Sequence, residues 1–262
     1  MNLASIFSLK AKHALVTGAG GGIGQAISQG LAQFGANVAC LDISNEIAAA
    51  AAQSVQQAGD PESFPVTCDV RDPGQVERAV AEVLARFGKI DILVNASGNG
   101  ILKPAIDFTL EDWEETIHVY LRSTFLFAKL VGRGMVERGQ GSIINISSVA
   151  SVVALGRGTA AYAAAKAGVN ALTRELALEW AKKGVRVNAI SPCQIDTPQL
   201  RKMLVDPQFD REKLMNTWLE AIPMGRIGQP QELVGPCIFL ASDAASLVTG
   251  HVLLVDGGYT IK

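Results

Sequence analysis

Thr17-Gly18-Ala19-Gly20-Gly21-Gly22-Ile23-Gly24 is the stretch that decides the fold. An apolar run, His13-Ala14-Leu15-Val16, leads into it, and a segment of helix formers over 24–34 follows. Strand, glycine turn and helix, in that order, are what a phosphate-binding turn requires. Glycines admit positive φ and let the backbone approach an anion closely, while the unpaired N–H groups of the next helix face it. The register excludes two other forms. Ile23 stands three residues beyond Gly20, which breaks G-x-G-x-x-G, and no Lys-Ser/Thr pair follows that would make a P-loop. What remains is T-G-x-x-x-G-x-G through Gly18, Gly22 and Gly24.

Working outward, β-branched or apolar runs over 13–17, 37–41, 64–68, 90–94, 142–147, 186–190 and 252–255 read as strands. Between them, 24–34, 45–58, 73–87, 110–136, 159–183 and 231–242 carry helix formers with apolar spacing near 3.6. Alternation of this kind specifies an α/β fold, a doubly wound parallel sheet with helices on both faces in three α/β/α layers. No repeat or Pro/Ser-rich linker divides the 262 residues, so a single domain is expected. The rhythm breaks over about 193–228, a proline-containing insert at the carboxyl side of a strand, where a substrate lid would sit.

Composition narrows the partners. Apolar residues make up 48% and charged residues 18%, with a net charge of -2 and no long basic or acidic run. Neither nucleic acid nor an anionic membrane is therefore expected, and a small molecule is. Cys40, Cys68, Cys193 and Cys237 show no metal-ligand spacing and read as reduced thiols. The first residues lack the basic start and apolar stretch of a signal peptide, and no run reaches about 18 apolar residues, which points to a cytoplasmic chain with no membrane span.

Asp42 closes the second strand, eighteen residues past Gly24. A carboxylate there can accept hydrogen bonds from an adenine-ribose diol and would repel a 2'-phosphate. With Ile43 and Ser44 following, and no cation in the glycine turn, the reading is NAD over NADP. The plainer alternative is a helix N-cap or a solvated strand end. Farther on, Tyr162 and Lys166 lie four apart in an Ala-rich helix and point from one face. A phenol with an ordinary pKa of about 10 is a poor base near neutrality, but an adjacent ammonium favours its ionised form. Tyr162 would then take a hydroxyl proton in one direction and return it to a ketone in the other. Ser147 and Ser148 end a central strand, fourteen to fifteen residues ahead of Tyr162, where a hydroxyl can hold the reacting oxygen. Alternatively they simply end the strand and start a turn. Among the remaining side chains, His118, Trp113, Trp180 and Trp218 read as packing residues.

Together these residues resemble the short-chain dehydrogenase/reductase family of the single-domain, Rossmann-like kind. The resemblance spans nearly the whole chain. Its motifs are Thr17 to Gly24, Cys68-Asp69-Val70, Asp91-Ile-Leu-Val-Asn95-Ala-Ser-Gly98 and Asn145-Ile-Ser-Ser148, then Tyr162-Ala-Ala-Ala-Lys166, Arg186-Val-Asn188-Ala-Ile-Ser-Pro192 and Asp256-Gly-Gly258. The likeness implies that Ser148 positions the substrate oxygen, Tyr162 is the acid/base, and Lys166 holds the nicotinamide ribose while tuning the tyrosine. It implies cofactor contacts from Gly18, Gly22, Ile23, Gly24 and Asp42, and from Asp69 and Val70 to adenine. Asn95 would meet the adenosine ribose by its backbone, and Ile195 with Thr197 the nicotinamide carboxamide. A homotetramer joined through 110–136 and 159–183 is also implied.

The sequence departs from the family pattern at three places. Asn95-Ala96-Ser97-Gly98 stands for Asn-Asn-Ala-Gly, removing one amide that would tie neighbouring strands; Cys193 follows Ser191-Pro192 in place of glycine; and Tyr120 holds the position of the family's catalytic asparagine, whose role is not carried over. The leading expectation is an NAD-dependent enzyme interconverting a secondary alcohol and a ketone on a small polyol, sugar or sugar acid, with Asn99, Arg157 and Gln194 as polar groups near its pocket. A reductase of 3-oxoacyl or other apolar ketones is the alternative, favoured by Leu200, Met203, Leu204, Leu214, Met215 and Trp218 in the lid. An NAD-binding sensor without turnover, suggested by Tyr120, is the reading from another class.

Overall fold

Ala14 and Val16 leave one face of the first strand and Leu15 the other, and all three are fully buried. A strand that is apolar on both faces must be covered on both. The computed structural model, which describes residues 3–59, 61–99, 101–205 and 210–261, shows that covering. Its strands are β1 (His13–Thr17), β2 (Asn37–Asp42), β3 (Ser63–Thr67), β4 (Ile92–Asn95), β5 (Gly141–Ile146), β6 (Val185–Pro192) and β7 (Val252–Val255). They form a seven-stranded sheet in the order β3-β2-β1-β4-β5-β6-β7. Every neighbouring pair is parallel.

Helices α1 (Gly22–Gln33), α2 (Asn45–Ala58) and a late helix (Val234–Ala241) cover one face. Ile27, Leu31, Val55 and Ile238 pack there against Val16, Val38, Val94 and Ile144. The opposite face takes α3 (Pro73–Phe87) and two long helices, Ser123–Arg138 and Ala160–Trp180. Val80, Phe127, Met135 and Leu176 meet Leu15, Leu41, Leu93 and Ile143 on that side. Burying one Leu or Phe from either layer contributes about 1.5–3 kcal/mol, so both layers are needed to offset the entropy of ordering the chain.

The helix expected over 110–136 is interrupted. A first piece, α4 (Leu110–Ile117), starts from a capping box in which Thr109 and Asp112 satisfy each other's backbone N–H. It then passes through one π-helical turn, His118–Arg122, before α5 (Ser123–Arg138) continues. The Ser123 hydroxyl donates to the Val119 carbonyl at 2.5 Å, and the Thr124 hydroxyl to the Tyr120 carbonyl at 2.7 Å. Two side chains bonded into the backbone ladder at adjacent carbonyls account for the widening. The helix expected over 159–183 follows as α6 (Ala160–Trp180). In the insert expected over about 193–228, α7 (Pro198–Val205) and α8 (Arg211–Ala221) form two short helices, and the connection at 206–209 lies outside the described residues. The late helix, Val234–Ala241, becomes α9. Among the described residues no helix is long and apolar enough to cross a membrane.

Candidate active site

The strand order reverses between β2-β1 and β4-β5, so the crevice beyond the carboxyl ends of β1 and β4 is where such sheets bind ligands. Thr17 and Asn95 end these two strands side by side. The Thr17 hydroxyl holds the ends together by accepting from the backbone N–H of Ala96 and Ser97 at 3.1 and 3.2 Å. The glycine turn sits on top. Gly18 has φ +67°, and a Cβ added at Gly24 would lie 2.0 Å from the Gly18 carbonyl oxygen, so both positions require glycine. A Cβ at Gly22 would meet the Thr197 side chain at 2.9 Å, which places the start of the lid against the turn. Ile23 is half-buried against the core.

At the N-terminus of α1, Gly21 supplies no side-chain cap and the first turn holds no acidic residue. Those N–H groups face outward uncapped, as a pyrophosphate requires. Beside them the Asp42 carboxylate accepts from the N–H of Gly20 at 2.9 Å and of Ile43 at 2.8 Å. It braces the turn and stands at its outer end, which no reading of spacing revealed. The cradle of close-packed glycines, open helix end and strand-end carboxylate fits a dinucleotide.

Other sequence-derived contacts are placed less directly. The Asp69 carboxylate is gripped by Arg71 at 2.8 and 2.9 Å, which holds its pKa below the ordinary carboxylate range. Val70 is buried in the core layer with α3. Asn95 donates through Nδ2 to Asn145 Oδ1 at 2.8 Å, and Asn145 donates to Thr173 of α6 at 2.9 Å. The single amide of Asn95 thus still ties β4, β5 and α6 in one line, although Ala96 offers none. Ile195 is buried in the core and bridges to Gly228 as the lid leaves and returns. Thr197 caps the first turn of α7, accepting from Leu200 N–H at 3.2 Å.

Ser148, Tyr162 and Lys166 are brought together. The Ser148 hydroxyl lies close enough to Tyr162 to oppose the effect of burial on the phenol, and it accepts from Ala150 N–H at 3.2 Å. Lys166, only 5% exposed, donates through Nζ to the Ile146 carbonyl at 2.6 Å, at the end of β5. Its Nζ lies 5.8 Å from the centre of the Tyr162 ring. Burial pulls the Lys166 pKa down to about 7. Burial also pushes the Tyr162 phenol up, against the opposing hydrogen bond from Ser148. The expectation that the adjacent ammonium lowers the phenol's pKa does not hold in the protein by itself, where desolvation governs.

Tyr120, left without a role by its sequence position, stands inside the cluster. Its ring meets that of Tyr162 edge to face, with centroids 5.1 Å apart at 80°. A Cβ added at Gly98 would lie 2.3 Å from it, so the loop after β4 also closes on this ring. The apolar helix containing Ser123 and Thr124 carried a signal for the bulge that presents it, but only as a hydroxyl pair. Arg157, expected near the pocket, donates through Nη2 to the Tyr259 hydroxyl at 3.0 Å, and its guanidinium lies over Trp218 of α8 at 6.0 Å. Asn99 is exposed and Gln194 half-buried. Trp218 is a packing residue as expected, whereas Trp113 is 41% exposed, a correction explained by its outward place on α4. Cys40, Cys68 and Cys237 are buried free thiols, and Cys193, half-buried beside the lid, is also unpaired.

Comparison with known proteins agrees with this geometry. Residues 18–260 match a family model described as enoyl-(acyl carrier protein) reductase. The chain is 44% identical to D-threitol dehydrogenase of Mycolicibacterium smegmatis over 98% of its own length and 95% of that protein. It is 40% identical to the NAD-dependent glycerol dehydrogenase of Listeria innocua, covering 98% and 96%. Among solved structures it is similar to a gluconate 5-dehydrogenase from Burkholderia cenocepacia in complex with NADP and tartrate, with TM-score 0.90, 38% identity and 98% coverage of both chains. With the strand order, the glycine turn and the Ser148-Tyr162-Lys166 cluster in one crevice, these matches establish that the chain belongs to the short-chain dehydrogenase/reductase family.

Proposed function

We propose that the protein is an NAD-dependent oxidoreductase that interconverts a secondary alcohol and a ketone on a small polyol, sugar or sugar acid. The observation that carries this reading is the cluster of Ser148, Tyr162 and Lys166 beside a glycine cradle whose outer end is a carboxylate. Asp42 favours NAD, because a 2'-phosphate would meet its negative charge. Bound NAD+ would supply the hydride acceptor and a positive charge near the phenol. Ser148 then holds the substrate oxygen, Tyr162 takes the hydroxyl proton, and Lys166 keeps the ionised phenol stable. Gly18, Gly22, Ile23, Gly24, Asn95, Ile195 and Thr197 would line the cofactor, with Asp69 and Val70 at the adenine end. D-threitol dehydrogenase and glycerol dehydrogenase are named for small polyols, which agrees with a rim carrying Arg157, Tyr259 and Gln194.

The working form in this reading is a homotetramer in the cytoplasm. The apolar side chains of Leu110, Phe125 and Leu178 on α4, α5 and α6 stand exposed on one chain and suit helix-to-helix contact with its copies. A second reading, reduction of 3-oxoacyl or other apolar ketones, is favoured by the lid, where Leu214, Met215 and Trp218 turn inward. An absorbance assay at 340 nm across threitol, glycerol, galactitol and gluconate, run beside a 3-oxoacyl thioester with NADH, separates the two. NADH formation with a polyol supports the proposal; no polyol turnover with rapid thioester reduction overturns it.

A further inference from the structure

Lys166 is an ammonium with little around it to stabilise its charge. The Ile146 carbonyl takes one of its protons. The titratable groups that face it are Tyr162 on its own helix and Tyr120 on the π turn, and β5 adds only backbone and serine hydroxyls. Of the two rings, that of Tyr120 is the nearer: Nζ sits 4.4 Å from its centroid, against 5.8 Å for Tyr162. A cation at that distance from an aromatic centroid is attracted by the negative face of the ring, and more strongly when both are desolvated. Tyr120 is 6% exposed. It is fixed on its remaining sides by the edge-to-face contact with Tyr162 and by Gly98, where no larger residue fits. Burial keeps its hydroxyl protonated.

We propose that Tyr120 is a positioning residue: its ring face holds the Lys166 ammonium at the catalytic phenol. The ring thereby supplies to the lysine what an asparagine at this position cannot, a broad negative surface. The π turn is the device that makes room for it, since the bulge lies at Tyr120 itself and its carbonyl is held by Thr124. This inference rests on the assignment of Tyr162 as acid/base and Lys166 as its partner.

The test separates the two. Protein labelled with 13C at the lysine ε carbons is titrated without nucleotide, the Lys166 signal being assigned from its loss in Lys166→Met. In Tyr120→Phe, which keeps the ring, the midpoint should stay within about 0.2 pH unit of the parent; in Tyr120→Leu it should fall by about half a unit or more. If the leucine variant does not fold, Tyr120→Met, which fills the same space without a π face, replaces it. In steady-state kinetics the acid limb of kcat should move upward in the leucine or methionine variant and hold in Tyr120→Phe.

A midpoint unchanged in the leucine and methionine variants, or shifted equally in phenylalanine, overturns the role of the ring. Turnover that survives in Tyr162→Phe, with the titration difference intact, would instead remove the acid/base reading and leave the hold on the ammonium standing.

Discussion

A lysine that is 5% exposed is costly to the fold, and Lys166 shows why the cost is tolerated. Its proton is lost near pH 7 when folded but near its ordinary 10.5 when unfolded. Between those values the unfolded chain binds a proton that the folded one does not, so stability rises with pH across that window. Below about 7 both states are charged and the penalty is complete. Lys166→Met should therefore stabilise the fold, by on the order of 1–4 kcal/mol at pH 6.5 and by less at pH 9.5, while abolishing turnover. Urea melts at the two pH values check it; an equal gain at both would contradict the burial of a charge. Tyr162→Phe should keep the circular dichroism spectrum and nucleotide binding and lose at least about 100-fold in kcat. Asp42→Ala, by removing a charged acceptor, should cut the preference for NAD over NADP about tenfold or more in kcat/KM. At this scale the sequence is legible wherever spacing alone sets geometry, as for Tyr162 and Lys166 on one helix face. It is silent where partners come from distant segments: the Ile146 carbonyl, the Gly20 N–H on Asp42, and the ring of Tyr120 all depend on packing that no local pattern encodes.

Elements show the same division. The βα turn through Gly18, Gly22 and Gly24 is readable because each glycine answers a steric demand, and the structure gives those demands as backbone or side-chain atoms at 2.0–2.9 Å from an added Cβ. Gly24→Ala would force its methyl into the Gly18 carbonyl, so it should destabilise by about 1–3 kcal/mol and weaken nucleotide binding. A fluorescence titration with NADH beside a thermal melt checks both, and an unchanged affinity would show that the turn has slack. The bulge at 118–122 is the contrasting case. Apolar periodicity runs straight through it, and only the hydroxyls of Ser123 and Thr124, bonded to the Val119 and Tyr120 carbonyls, divert the ladder. Serine and threonine inside helices are common enough that their presence does not announce a bulge.

For the molecule as a whole, the alternation of strands and helices settled the architecture. Strand order follows from right-handed crossovers on a twisted sheet. The lid was visible only as a break in rhythm, because its two short helices are held by contacts to remote residues such as Arg157 on Trp218. Quaternary structure can be tested on the exposed apolar positions. Phe125→Arg combined with Leu178→Arg should convert a tetramer to smaller species by light scattering, with the fold of each chain retained; an unchanged mass would place the interface elsewhere. The bond from Arg157 to Tyr259 has a practical bearing on every assay described above. It anchors the segment after β7 to the residues that lead into α6, whereas the opening 3-10 turn, Leu3–Phe7, rests against Asp243–Ala245, beside the start of β6 where Arg186 donates to the Ser242 carbonyl. An affinity handle for purification therefore belongs ahead of that turn, since one fused behind Ile261 would pull through Tyr259 on the segment that leads to Tyr162 and distort the measured Michaelis constants.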